Sequence, residues 1–436
     1  MSVEEITQTI TQGQELLKQR RYEEALAVFE RVLALDPKNA SIWSSKGIAL
    51  LCLKRPQEAV AAFERAVEVD GSDASAYHNL GNTLSLLKRH DEALYAYGRA
   101  IHLKPDQTSS YIGKSSALLQ LQNTQEALAA AEQAIELDRN NVLAHRNKAE
   151  ALSRLKRYDR ALAAYSWAIR LAPHDPALYL GKGNVLEHLK RHTDALEAYD
   201  RALELSPHNP AIYFNKSRSF IKLKRLEDAL AACERAIALG PHYAIFHYRR
   251  GTILRRLKRY EEALAAYEVS IRLDPHKLES RTGKGEVLLA LKRYEEALAF
   301  CQETIQLELA NHITYAQKAH VLLKLKRYNE VLALCERFDG GGTYDCFGAG
   351  LYKAHALMAL KRYAEALECY RSASVYGGWY GGSAEYRRNA QKGEMAALIR
   401  LGRYREALEE YRANRRMRKY LRAHKLDESL EGEEDG

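Results

Sequence analysis

Long apolar runs are absent from this chain of 436 residues. None approaches the roughly 18 residues that a membrane-spanning helix needs, so insertion into a bilayer is not expected. The six cysteines form no CxxC pair and have no histidine at a matching spacing. A structural zinc site or a disulfide framework is therefore not expected, and a reducing cytoplasm is the natural compartment. The opening MSVEEITQ is acidic where a signal peptide would be basic and then apolar, so secretion is not expected. Catalytic signatures are missing as well: there is no phosphate loop, no GxSxG and no HExxH. A non-enzymatic protein without cofactor or metal is the expectation. With 9 Pro, 25 Gly, 46% hydrophobic and 28% charged residues and a net charge of +9, the chain is too apolar to be disordered.

What the chain does have is a repeat. RYEEALAVFERVLALDPKN (Arg21 to Asn39) returns as RYEEALAAYEVSIRLDPHK (Arg259 to Lys277), and the shared period is 34 residues. Ala25, Ala59, Ala93, Ala127, Ala161, Ala195, Ala229, Ala263 and Ala297 mark it. Twelve residues before each stands a second small residue, as in Gly13, Gly47, Gly81, Gly183 and Gly251. Four residues after stands a bulky or soft apolar one, as in Phe29, Phe63, Tyr97, Tyr165, Tyr199, Tyr267, Cys233, Cys301 and Cys335, with Ala131 undersized. Apolar residues recur at three- and four-residue steps, the helical period, on both sides of a short turn. Pro37, Pro105, Pro173, Pro207, Pro241 and Pro275 close the repeats, because proline cannot continue a helix. Each repeat reads as helix, turn, helix, stop. One helix pair cannot bury its own apolar stripe, so neighbours must stack.

The run aromatic, small, small, aromatic, small, Pro, as in Tyr179, Gly183, Ala195, Tyr199, Ala202 and Pro207, resembles the tetratricopeptide repeat family over about residues 6 to 411, in about twelve copies. The resemblance implies an all-α fold, a right-handed α-solenoid superhelix of stacked antiparallel helix pairs, with a concave face built from the first helix of each pair. It also implies a protein–protein interaction scaffold or adaptor. The expected organisation is a regular array over 1–345, irregular repeats with Gly- and aromatic-rich insertions over 346–411, and a basic capping helix with an acidic disordered tail over 412–436. The fourth repeat, with Ser115, Ala131 and Arg139 in place of glycine, aromatic and proline, is expected to form a softer joint.

Charge suggests where a partner binds. Lys-Arg pairs at nine inter-helix turns, among them 54–55, 190–191 and 258–259, admit a nucleic-acid track. Acidic residues such as Glu261 and Glu262 follow directly, however, and both signs suit the helix dipoles, so a solvated edge is the stronger reading. On the inward helix faces, Arg218, Lys222, Arg255 and Arg256 interleave with Phe214 and Tyr248, and Glu150, Glu187 and Glu286 dilute the flanks. Basic groups among aromatics suit an acidic peptide or helix. Asn184, Asn215 and Arg249 match three of the five polar positions with which some co-chaperone members clamp a C-terminal carboxylate, but Leu180 and Ile245 stand where that clamp has lysines. The groove is therefore expected at Asn184, Phe214, Asn215, Arg218, Lys222, Tyr248, Arg249, Arg255 and Arg256. Tyr376, Trp379 and Tyr380, on a glycine-rich insertion, form a second candidate interface. Residues 427–436 supply an acidic segment that suits self-association in cis or in a neighbouring molecule. The alternatives are a nucleic-acid-binding solenoid or a regulatory subunit of a larger enzyme complex. His174, His208, His242 and His276 recur one repeat apart, too far for one metal ion, and read as turn residues.

Overall fold

The structure is a computed structural model and describes residues 3–339, 349–376 and 384–413. These form 24 α-helices in consecutive pairs, with no strand among the described residues. The chain divides into an amino-terminal unit, Met1–Arg225, and a carboxy-terminal unit, Leu226–Gly436. The first holds α1 (Val3–Lys18), α2 (Tyr22–Leu35), α3 (Ala40–Cys52), α4 (Pro56–Val69), α5 (Ala74–Leu86), α6 (His90–Leu103), α7 (Thr108–Gln120), α8 (Thr124–Leu137), α9 (Val142–Arg154), α10 (Tyr158–Leu171), α11 (Pro176–His188), α12 (His192–Leu205) and α13 (Pro210–Lys222). The second holds α14 (Leu226–Leu239), α15 (Ala244–Arg256), α16 (Tyr260–Leu273), α17 (Leu278–Ala290), α18 (Tyr294–Gln306), α19 (His312–Lys324), α20 (Tyr328–Asp339), α21 (Ala349–Ala359), α22 (Tyr363–Tyr376), α23 (Ala384–Arg400) and α24 (Tyr404–Ala413). Each unit is an α-solenoid in which a helix packs on the ones before and after it in the chain.

The turn inside nine of the repeats is built by a Lys-Arg pair, and Arg20 and Gln122 take the lysine's place in the first and fourth. Lys54, Lys190 and Lys258 stand in the left-handed backbone region, with φ of 59°, 60° and 62° respectively, where glycine is usual; the last repeat places Gly402 there. The following Arg N–H reaches back to the helix just ended, as Arg55 does to the Leu50 carbonyl at 2.9 Å, which closes a Schellman-type cap. The same arginine then forks onto the acid three residues on: Arg55 holds Glu58 at 2.6 Å, Arg89 holds Glu92 at 2.6 Å and Arg259 holds Glu262 at 2.6 Å. These hydrogen bonds keep Glu58, Glu92 and Glu262 below the ordinary carboxylate range. Much of the basic edge is thus neutralised within its own turn.

The core follows the small and large series. Ala25, Ala59, Ala93, Ala161 and Ala195 are fully buried, and Phe29, Phe63, Tyr97 and Tyr199 fill the space between helices. In the fourth repeat Ser115 takes the glycine's place and donates its hydroxyl to the Ala127 carbonyl at 2.8 Å. The thiols of Cys233 and Cys301 occupy the aromatic slot, where burial pushes them up to about 12 and about 11. His174, His208, His242 and His276 are exposed loop residues, and no group of three metal-ligating side chains occurs among the described residues. No described helix is long and apolar enough to cross a membrane.

Two half-buried histidines, His78 and His320, and the more open His355 are expected to make the fold acid-sensitive. Burial holds His78, His320 and His355 below the ordinary value of 6.5; Lys324 adds to this at His320, and His320 adds to it at His355. As pH falls past 6.5 the unfolded chain takes up protons that the folded one resists, so this source of stability is complete above 6.5 and is lost below it. Melting at pH 5.5 is expected below that at pH 7.5. The triple variant His78→Gln, His320→Gln, His355→Gln is expected to narrow that gap, and an unchanged gap would remove these residues from the account.

Candidate functional site

In the amino-terminal unit a cleft of about 450 Å³ opens across α9, α11 and α13. Glu150, Ser153 and Arg154 enter from α9, and Tyr165 from α10. Ala177, Leu180, Gly181, Asn184 and His188 enter from α11, and Asn215 and Arg218 from α13. The helical period explains this set. Residues 177, 180, 181, 184 and 188 are spaced by three and four and share one face of α11. Gly181 is required for the cleft floor, because a Cβ there would stand 2.5 Å from the Tyr165 ring.

An amide pair lies in this cleft. Asn215 Nδ2 donates to Asn184 Oδ1 at 3.0 Å, and the Tyr199 hydroxyl donates to the same oxygen at 2.9 Å. Asn184 Oδ1 is thereby saturated, which leaves the Asn184 N–H groups and Asn215 Oδ1 to face a visitor. Burial, together with the nearby Glu187 charge, pushes the Tyr199 phenol well above its ordinary value and keeps it a neutral donor. Tyr165 is raised to about 12, by burial first and by Glu150 second.

The charges are more engaged than the sequence suggests. Arg218 Nε pairs with Glu187, whose side chain is only 6% exposed, and Ser219 Oγ donates to the same carboxylate at 2.5 Å. Arg154 donates to Glu150 at 2.5 Å and to the Leu119 carbonyl. Glu150 and Glu187 therefore hold individual arginines, where the sequence shows them only as flanking dilution. Arg146 and Lys222 have no carboxylate within ion-pair distance among the described residues. Arg146 and Lys222 stand at the repeat-equivalent positions of the lining residues Leu180 and His188, so four cations accompany two carboxylates in and beside the cleft. His188 stacks flat on Tyr158, with ring centroids 5.0 Å apart.

Of the expected groove residues, Asn184, Asn215 and Arg218 line this cleft together, and Phe214 and Lys222 lie on the same α13. Tyr248, Arg249, Arg255 and Arg256 belong to α15 of the carboxy-terminal unit. There Arg255 pairs with Glu286 at 2.7 Å, the Tyr248 ring lies 6.1 Å from Tyr267 and 5.8 Å from Lys277 Nζ, and Arg256 is exposed. Trp379, Tyr380 and the side chain of Tyr376 fall outside the described residues, as does the acidic segment 427–436. Sequence reasoning missed Tyr165 with Gly181 as cleft floor. The available signal was the sixteen-residue offset from an aromatic slot to a glycine, which also links Tyr97 to Gly113 and Tyr267 to Gly283.

Family models described as tetratricopeptide repeat match the chain: one over residues 10–72, 112–176, 151–210 and 214–277, a second over 74–107 and a third over 254–309. No curated protein sequence matches it. Among solved structures, YrrB, titled a TPR protein with an unusual peptide-binding site, is 24% identical, with a TM-score of 0.35 over 42% of this chain and 94% of its own. A tetratricopeptide repeat protein from Parabacteroides merdae is 15% identical, with a TM-score of 0.48 over 57% and 98%. The pilF protein of Pseudomonas aeruginosa is 18% identical, with a TM-score of 0.44 over 50% and 100%.

Proposed function

Since the chain belongs to the tetratricopeptide repeat family, whose members generally mediate protein–protein interactions, we propose that it is a non-enzymatic scaffold that holds an acidic, extended segment of a partner protein in the α9–α11–α13 cleft. The observation that carries this reading is the Asn184–Asn215 pair. It offers spare N–H donors and a spare acceptor side by side, the complement of a peptide group's C=O and N–H. The surplus of Arg146 and Lys222 over the paired charges favours carboxylates nearby. Packed helices preform the cleft, so the ordering cost falls on the visiting segment. The cytoplasm is the compartment proposed for it. The Lys-Arg edge does not favour a phosphate track, because arginines such as Arg55, Arg89, Arg259 and Arg293 are already forked onto carboxylates.

Fluorescence anisotropy with a fluorescein-labelled Gly/Ser/Glu peptide on the full chain tests this. The labelled peptide is expected to bind, and to bind better than its Gly/Ser/Gln counterpart. Asn184→Ala with Asn215→Ala is expected to weaken it about tenfold, the scale of two hydrogen bonds. Full affinity in that variant would end the proposal. A labelled single-stranded oligonucleotide is the comparator, since phosphate-backbone binding collapses with salt. Self-association through residues 427–436 belongs to the same proposal: deleting them is expected to tighten peptide binding by removing a competitor, and unchanged affinity disposes of it.

A further inference from the structure

Beyond α1, the first helices of the amino-terminal unit fall into two electrostatic classes. α9, α11 and α13 carry Arg146, Glu150, Arg154, Glu187, Arg218 and Lys222 at cleft-facing register positions. α3, α5 and α7 carry no Asp, Glu or Arg at all, and their only lysines are Lys46 and Lys114. Lys46 points away from this register and pairs with Glu30 at 3.0 Å. At the positions equivalent to Asn184 and His188 these helices present Ile48, Asn82, Ser116, Cys52, Leu86 and Gln120. Ile48 is 40% and Leu86 66% exposed, although both are large and apolar. Among the polar groups there, His78 bonds Ser110 Oγ at 3.1 Å and Asn82 at 3.0 Å, and the Tyr97 hydroxyl donates to Asn82 Oδ1 at 2.8 Å, while the Ser44 hydroxyl is buried without a partner.

A charged side chain laid on this stretch would be desolvated without a partner, whereas an apolar one would cover Ile48 and Leu86. The helices of both classes stack in one unit, so a segment lying on α9–α13 continues onto α3–α7. We infer that the partner segment is bipartite: an acidic block on α9–α13, and an uncharged block with a bulky apolar residue on α3–α7. This rests on the proposed function above and extends it. Leu86 on α5 and His188 on α11 are three first helices apart, about 30 Å at roughly 10 Å per helix. At about 3.3 Å per residue, roughly nine residues of extended chain separate the apolar anchor from the acidic contacts.

Selection of phage-displayed random 16-residue peptides on the full chain reads this directly. Enriched sequences are expected to concentrate Asp and Glu in one half and to place Leu, Ile or Phe in a charge-free other half, about nine residues away. Ile48→Asp with Leu86→Asp, both exposed and therefore compatible with folding, is expected to erase the apolar preference and to leave the acidic one. Arg146→Glu with Lys222→Glu is expected to do the converse. Circular dichroism melting confirms that both variants fold. Acidic residues spread evenly along the enriched peptides, or enrichment indifferent to Ile48 and Leu86, overturns the bipartite segment and leaves the acidic-segment proposal standing. Enrichment without acidic residues, or acidic enrichment indifferent to Arg146 and Lys222, overturns both.

Discussion

Gly113→Asn is expected to destabilise the protein by about 2 kcal/mol, and the loss is expected to shrink or vanish when Tyr97 is already alanine. Gly113 lies inside α7, where glycine is unfavourable by about 1 kcal/mol against alanine, so propensity alone argues for replacing it. Packing argues the other way: a Cβ at Gly113 would run into the Tyr97 ring. The chain contains the alternative solution one repeat later. Ala131 leaves the slot small, and sixteen residues on stands Asn147, buried, donating to the Ile112 carbonyl at 3.2 Å and to Ser116 Oγ at 2.9 Å. Cys301 and Gln317 repeat the exchange, with Gln317 donating to the Thr282 carbonyl at 2.9 Å. An asparagine at 113 in a Tyr97→Ala background would meet the equivalent acceptors, the His78 carbonyl and the Asn82 side chain that Tyr97 has released. Tyr97→Ala alone is expected to cost about 3–5 kcal/mol through its cavity. The double variant is expected to recover about 2 kcal/mol relative to the sum of the singles. Urea unfolding of the four proteins, compared by midpoint because a repeat array need not unfold in two states, gives the coupling. Simple additivity would mean that the two positions do not share one volume.

The same exchange shows what could be read from the residues beforehand. The 34-residue period and the small and large slots are properties of one repeat, and repetition amplifies them: the helix, turn, helix, stop read from the sequence is the order in which α11 (Pro176–His188) and α12 (His192–Leu205) follow one another. Pairings between neighbouring repeats are less visible, because each occurs at its own offset and only in some copies. Lys46, Lys148 and Lys284 place their ammonium groups on Glu30, Glu132 and Glu268, each sixteen residues earlier. Glu187 with Arg218, and Arg255 with Glu286, are both 31 residues apart. Periodicity finds a face; which rotamer on that face meets which carboxylate depends on sterics that no single repeat contains. The basic groove was legible as a composition, and its division into paired and unpaired cations was not. The division of the expected contacts between α11–α13 and α15 likewise has no mark in the sequence, since the repeat runs through residue 225 without a break.

Arg218→Met is expected to destabilise the amino-terminal unit by about 2–3 kcal/mol, and adding Glu187→Met is expected to restore stability to within about 1 kcal/mol of the parent. The asymmetry of the pair sets the sign. Glu187 is 6% exposed and Arg218 35%, so removing the guanidinium strands a buried carboxylate with only Ser219 to hold it. Removing both charges strands nothing, and the methionines occupy similar volume. The arginine's partial exposure places the single loss at the low end for a buried pair. Binding is expected to follow the other course. Glu187 takes Nε and the Tyr199 hydroxyl meets the guanidinium as well, which leaves further guanidinium N–H groups on a side chain that lines the cleft with Asn184 and Asn215. A carboxylate of the visiting segment would meet them already ordered, without the rotamer cost that a free arginine carries. Acidic-peptide affinity is therefore expected to fall about tenfold in Arg218→Met and to stay low in the restored double variant, with urea unfolding and anisotropy read on the same preparations. A double variant as stable as the parent that also binds as well would show that the buried pair serves the fold alone. A double variant that is stable and does not bind would show that its charge is kept for the ligand, since packing does not need it.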